Sequence, residues 1–145
     1  MSRQVIPPAA QTLRSTYILI VEDDENVGEF LQQVIDEQTP YQTTLVHDGT
    51  RAMEKAQQIQ PCLLLLDYRL PGMDGLEVYD HLQSMEETRG VPAIIMSASL
   101  PTEELQSRGI YQLRKPMDMG NVIRMITHAL ATFEEHRVSQ SQSYI

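Results

Sequence analysis

Asp67 stands directly after four leucines, Leu63 to Leu66, and the turn-forming run Pro71-Gly72-Met73-Asp74-Gly75 follows closely. A run apolar at every position reads as a strand covered on both faces, so this order places a carboxylate at the tip of a buried strand. Three other strand-like runs, the last of them weakly apolar, also lead into polar groups. Tyr17-Ile18-Leu19-Ile20-Val21 leads into Glu22-Asp23-Asp24-Glu25, Ala93-Ile94-Ile95-Met96 into Ser97, and Tyr111-Gln112-Leu113-Arg114 into Lys115-Pro116. If the first and third strands are neighbours, Glu22, Asp23 and Asp67 crowd together, which is unfavourable unless a cation neutralises them or some of them stay protonated. A hard divalent ion answers that need. Magnesium suits a pocket with few carboxylates, because it keeps several waters and shares its sphere with phosphate oxygens.

The elements that must carry these groups alternate along the chain. After the first strand, Val27, Phe30, Leu31, Val34 and Ile35 recur at spacings of three and four and predict an amphipathic helix. Thr43 to Val46 supply β-branched residues for a second strand, a turn is expected at Asp48-Gly49, and Ala52, Met53, Ala56 and Ile59 predict a second helix ended by Pro61. Leu76, Tyr79, Leu82 and Met85 mark a third helix from Gly75. Pro101 to Glu104 predict a short fourth helix with Thr102 as its cap, and Asp118 caps a fifth with Val122, Ile123, Ile126, Leu130 and Phe133 inward. Residues 1–15, with Pro7-Pro8 and no period, read as a flexible arm. From Glu134 the Ser/Gln-rich residues 134–145 read as a disordered tail, leaving one domain over 16–133. Five strands alternating with five helices predict an α/β doubly wound sheet of parallel strands, whose ligands bind beyond the strand C-terminal ends.

Composition narrows the function classes. At 145 residues the chain suits a single well-buried core. Its net charge of −9 repels phosphate backbones, so direct nucleic-acid binding is not expected. Cys62 has no partner for a disulfide and is expected to pack as a small hydrophobe, in keeping with a cytoplasmic location. No apolar stretch approaches the roughly 20 residues of a membrane span, and no signal-peptide core precedes Ser15. His47, His81, His128 and His136 lack metal-ligand spacing. Gly72 to Gly75 match no phosphate-binding glycine pattern, and no serine-hydrolase elbow occurs.

The segments Ile18-Leu19-Ile20-Val21-Glu22-Asp23-Asp24, Leu66-Asp67-Tyr68-Arg69-Leu70-Pro71-Gly72-Met73-Asp74-Gly75, Ser97-Ala98 and Lys115-Pro116, in that order, resemble the receiver domain of bacterial two-component response regulators. The resemblance covers Thr16 to Phe133. It implies a flavodoxin-like sheet of strand order 2-1-3-4-5 and a stand-alone phosphoacceptor like the chemotaxis regulators, since little follows the fifth helix. Asp67 would take a phosphoryl group from a sensor histidine kinase or phosphotransfer protein. Glu22 (through water), Asp23, Asp67 and the Arg69 carbonyl would hold Mg2+, with Mn2+ as the alternative. Ser97, Ala98 and Lys115 would bind the phosphoryl oxygens, Lys115 and Ser97 assisting transfer, and Pro116 would follow a cis bond. The family couples the serine to an aromatic residue three positions before the lysine. Here that position is Gln112, and Tyr111 precedes it by one residue, so either can occupy the switch position. A downstream protein would bind the face formed by the fourth helix, fifth strand and fifth helix. Two rivals remain: a receiver-like scaffold that works without phosphorylation, and a magnesium phosphohydrolase. Relatives of the latter need a second acid two residues after the first, where this chain has Arg69.

Overall fold

Strand and helix alternate five times in the structure, a computed structural model that describes residues 15–99 and 102–142, with side chains as far as 132. The elements are β1 (Tyr17–Val21), α1 (Glu25–Gln38), β2 (Gln42–Val46), α2 (Gly49–Ile59), β3 (Leu63–Asp67), α3 (Gly75–Ser84), β4 (Ala93–Ser97), α4 (Thr102–Ser107), β5 (Tyr111–Arg114) and α5 (Met119–Gln142). All strand pairs are parallel and the order is β2-β1-β3-β4-β5, as the resemblance implied.

The leucine run explains why the sheet is two-sided. Leu63 and Leu65 pack with Ile18, Ile20, Ile94 and Met96 against α1 and α5. Leu64 and Leu66 pack with Leu19, Val21 and Ile95 against α2, α3 and α4. Side chains alternate across a strand, so a run apolar at every residue feeds both layers, and each fully buried leucine contributes roughly 1.5–3 kcal/mol. All four leucines are inaccessible to solvent. Cys62 is buried beside them, as expected.

Acidic residues start several of the helices. The Asp24 carboxylate accepts hydrogen bonds from the Asn26 and Val27 N–H groups at the head of α1. Asp74 and Glu77 form a reciprocal capping box on α3, satisfying donors that a helix start leaves without partners. Asp48 is the N-cap of α2 rather than part of a free turn, its side chain accepting from Arg51 N–H.

Three expectations are corrected. Phe30, placed on the buried stripe of α1, is 36% exposed, and the inward positions are Gly28, Leu31, Val34 and Ile35. Gly28 lets α1 approach β2: a Cβ there would lie 2.7 Å from a Leu45 methyl carbon. The helical stripe is therefore centred one residue away from Phe30. The fifth helix does not end at Phe133 but continues to Gln142. No Gly or Pro interrupts it after Gly120, and Glu134, Glu135, Arg137 and Gln140 favour helix. Low apolar content marked a segment with little to pack, which is a weaker statement than disorder. Lastly, α4 begins at Thr102 itself. The arm at 1–15, apart from Ser15, lies outside the described residues, as do Pro101, residues 143–145 and the side chain of Phe133. No helix among the described residues is long and apolar enough to cross a membrane.

Candidate functional site

Strand register brings the polar groups to one edge. Val21 pairs with Leu66, Asp67 with Met96, and Ser97 with Arg114, so the last residues of β1, β3, β4 and β5 lie within two register positions of one another at the same edge. Two backbone bonds extend the alignment past the ladder: Tyr68 N–H donates to Met96 O at 2.8 Å, and Lys115 N–H donates to Ser97 O at 2.9 Å.

At this edge, Glu22, Asp23 and Asp67 each offer a carboxylate oxygen, and the three atoms lie within 4.8 Å of one another. Glu22 and Asp67 are buried, whereas Asp23 is exposed. Lys115 Nζ reaches in from the far side of the sheet, 2.9 Å from Glu22 Oε1 and 3.3 Å from Asp67 Oδ1. The other Glu22 oxygen accepts the Asp24 N–H at 3.1 Å. The Lys115–Pro116 peptide bond is cis, as the resemblance implied.

These contacts set the protonation balance. Burial is the main influence on Glu22 and pushes it up to about 7, with the Asp67 carboxylate adding to the rise and Lys115 opposing it. For Lys115, burial acts to lower the value, but its bonds to Glu22 and its attraction to Asp67 outweigh that and raise it. One ammonium serves two buried carboxylates and leaves Asp23 without a cation among the described residues. The donor set is oxygen only, convergent and open to solvent at Asp23, which fits a hard divalent ion that retains water.

The other expected residues surround this centre. Ser97 is buried, and its hydroxyl donates to Ser99 O at 3.0 Å and accepts from Ser99 N–H at 3.1 Å. Ala98 is exposed on the bend after β4, its carbonyl accepting from Arg114 Nη1 at 3.1 Å. Arg69 lies exposed on the bend two residues beyond Asp67.

β5 separates its two candidate switch residues. Tyr111 packs on the α5 side, with its ring edge-on to His128 at 5.4 Å, while the Gln112 amide donates to Thr102 O at the start of α4, at 3.4 Å. Gln112 thus occupies the α4-facing position three residues before Lys115, and Tyr111 does not. The direct Glu22–Lys115 pair was missed by sequence reasoning, which gave Glu22 a water-mediated metal role; 93 residues separate the two, and no local signal links them. Also unforeseen was the closeness of Gly75, whose N–H donates to Tyr68 O at 2.7 Å and where a Cβ would stand 2.5 Å from Asp67 O. The contact requires glycine.

Comparison with known proteins agrees with this geometry. The chain is 34% identical over 88 residues to the DNA-binding response regulator MtrA of Mycobacterium tuberculosis, a match covering 61% of this chain and 37% of that one. Against sporulation initiation phosphotransferase F of Bacillus subtilis, identity is 29% over 72% of this chain and 86% of the other. The chain thus spans well under half the length of MtrA but most of the phosphotransferase. Among solved structures, the chemotaxis protein CheY4 of Vibrio cholerae superposes with a TM-score of 0.74 at 19% identity, covering 80% of this chain and 99% of that chain, and shows a shared fold. A two-component transcriptional regulator AraC from Clostridium phytofermentans gives 0.72 at 28% identity, over 85% and 98% of the two chains. The response regulator receiver domain family matches over residues 18–127. An acid cluster and a lysine held at aligned strand ends, within a sheet of this order and this family match, lead to one conclusion: the chain belongs to the response regulator receiver domains of two-component signalling.

Proposed function

We propose that Asp67 is the phosphoacceptor of this receiver domain. The observation that carries the reading is the convergence of Glu22, Asp23 and Asp67 with Lys115 Nζ at the strand ends. An Asp67 carboxylate oxygen attacks the phosphorus of a phosphohistidine on a histidine kinase or phosphotransfer protein. The P–N bond breaks, its electron pair stays with the imidazole, and an acyl phosphate forms on Asp67. Asp23, Asp67 and the Arg69 carbonyl, with Glu22 acting through water, would hold Mg2+, which when bound supplies positive charge for the phosphoryl oxygens.

Lys115 is positioned to move its ammonium from the Asp67 carboxylate to a phosphoryl oxygen, because 3.3 Å already separates it from Asp67 Oδ1. The Ser97 hydroxyl and the Ala98 N–H are the other donors at hand. Recruiting Ser97 exchanges its two bonds to Ser99 for one to phosphate, which loosens the bend leading to α4. Such a change would reach a downstream protein through the face of α4, β5 and α5. The domain is a single-turnover acceptor that assists its own phosphorylation and dephosphorylation, and is not a metabolic enzyme.

Intact-protein mass after acetyl phosphate treatment tests the reading. A phosphate adduct is expected on the wild type with magnesium and not without it, and none on Asp67→Asn. A wild type that stays unmodified would leave the constitutive scaffold as the better account.

A further inference from the structure

The edge of the sheet opposite Asp67, where the strands begin, carries an apolar groove. The turn Thr39-Pro40-Tyr41 between α1 and β2 forms one wall, Ile123, Ile126 and Leu130 of α5 the other, and with their neighbours they bound about 300 Å³. Its floor continues the core beneath α1 and α5, where Ile126 and Leu130 are buried and Tyr41 and Ile123 partly so. No charged side chain lines it. The turn is braced, because the Thr39 hydroxyl donates to Ile35 O at 2.7 Å and accepts the Tyr41 N–H at 3.1 Å. A concavity with fixed apolar walls favours an apolar occupant.

Beside the groove the charge is unbalanced. Asp36 and Glu37 stand in the last turn of α1, next to groove-lining Gln38, and that turn holds no basic residue. A helix C-terminus carries partial negative charge, so two acids there are unfavourable without a cation nearby. Neither forms an ion pair among the described residues. Residues 1–14, outside the described residues, carry Arg3 and Arg14 and none of the chain's 20 acids. They also bring the apolar run Val5-Ile6-Pro7-Pro8. Their point of attachment adjoins the groove: Gln42 N–H donates to Thr16 O at 3.0 Å, and Tyr17 is in register with Gln42. The chain entering β1 therefore runs alongside the chain leaving Tyr41, about 5 Å away. Ile6 stands nine residues before Ser15, a length that reaches up to about 30 Å when extended.

We propose that residues 1–14 dock back on their own domain, Val5 and Ile6 entering the groove between Tyr41 and α5 while Arg3 meets Asp36 and Glu37. The spacing agrees on both sides: Arg3 precedes Val5 by two residues, and the two acids directly precede Gln38. Tethering selects this occupant, because a segment attached beside its site acts at an effective concentration that a separate chain rarely matches. A second copy brings its own charge of −9 as well, and long-range repulsion disfavours that pairing. Pro7 and Pro8 fix their own φ and so reduce the entropy lost on docking. The inference is independent of the role of Asp67, which lies at the other edge of the sheet.

The test is photo-crosslinking of the full chain carrying p-benzoylphenylalanine in place of Ile6, with the linked peptides mapped by mass spectrometry. Expected are links within one chain to residues 38–41 and 123–131, at a yield that does not depend on protein concentration. R3E and D36K/E37K should each lower that yield about fivefold, the scale of a lost exposed ion pair. Combining them should restore it. Ala131→Trp, which fills the groove from its exposed rim, should abolish the links. Links scattered over the surface, links between chains, or a yield indifferent to these substitutions would overturn the proposal. Circular dichroism melts show that each variant folds, and neither readout involves phosphate, so failure here and failure of the Asp67 reading are told apart.

Discussion

Lys115 Nζ bonds Glu22 Oε1 at 2.9 Å across 93 residues of sequence, and the same ammonium sits 3.3 Å from Asp67. β3 and β4 lie between the strands that carry Glu22 and Lys115. The long lysine side chain therefore reaches over two strand ends to meet a fully buried carboxylate. Breaking a pair of this kind leaves a buried charge without compensation, a larger effect than losing an exposed ion pair.

Glu22 makes the metal-free protein sensitive to pH. Its folded value of about 7 lies above the ordinary 4.5 because burial disfavours the charged form. The folded chain then binds the proton more tightly than the unfolded chain, so the contribution is fully present below about pH 4.5 and is lost as pH rises through 7. Lys115 is also raised, but from 10.5, and acts outside this window. Thermal melts in chelator should show Tm falling between about pH 4.5 and 7 and levelling off above. Glu22→Gln, which keeps an acceptor for Lys115, should flatten that slope; an unchanged slope would assign the pH dependence elsewhere.

Asp23→Ala removes the exposed carboxylate of the cluster and leaves Glu22, Asp67 and Lys115 in place. Magnesium affinity, measured by calorimetry, should weaken by about tenfold or more, with little change in Tm, since exposed substitutions usually stay within about 0.5 kcal/mol. Unchanged ion affinity would remove Asp23 from the ligand set.

Gly75→Ala places a methyl 2.5 Å from the Asp67 carbonyl oxygen and 3.0 Å from Tyr68 Cα, both backbone atoms that cannot swing aside. A loss of about 1–3 kcal/mol in denaturant unfolding is expected, together with slower phosphorylation as Asp67 shifts. Gly72→Ala is the control: it meets nothing within 4 Å but holds φ at +82°, so about 1 kcal/mol of backbone strain should appear without a packing defect.

Neighbouring helix positions should respond in opposite ways. Ile35→Ala empties a site with no solvent exposure and should lower stability by about 2–5 kcal/mol. Phe30→Ser, on the same helix but 36% exposed, should change it by less than about 1 kcal/mol. Urea titration of both variants checks the assignment of the inward face, which a large effect at Phe30 would reverse.

By itself the sequence determined the alternation of five strands and five helices, the two-sided burial of Leu63 to Leu66, and the placement of Glu22, Asp23, Asp67, Ser97 and Lys115 at strand tips. Such features are written in short-range periodicity and in the turn residues that follow each apolar run. Only the tertiary structure decided that Lys115 meets Glu22 directly, that Gly28 rather than Phe30 faces the sheet, and that Gln112 faces α4 while Tyr111 faces α5. Each of these depends on which strands lie side by side, in what register and at what helix approach. Distances across a sheet are sums over neighbours far apart in the chain, and no local spacing encodes them.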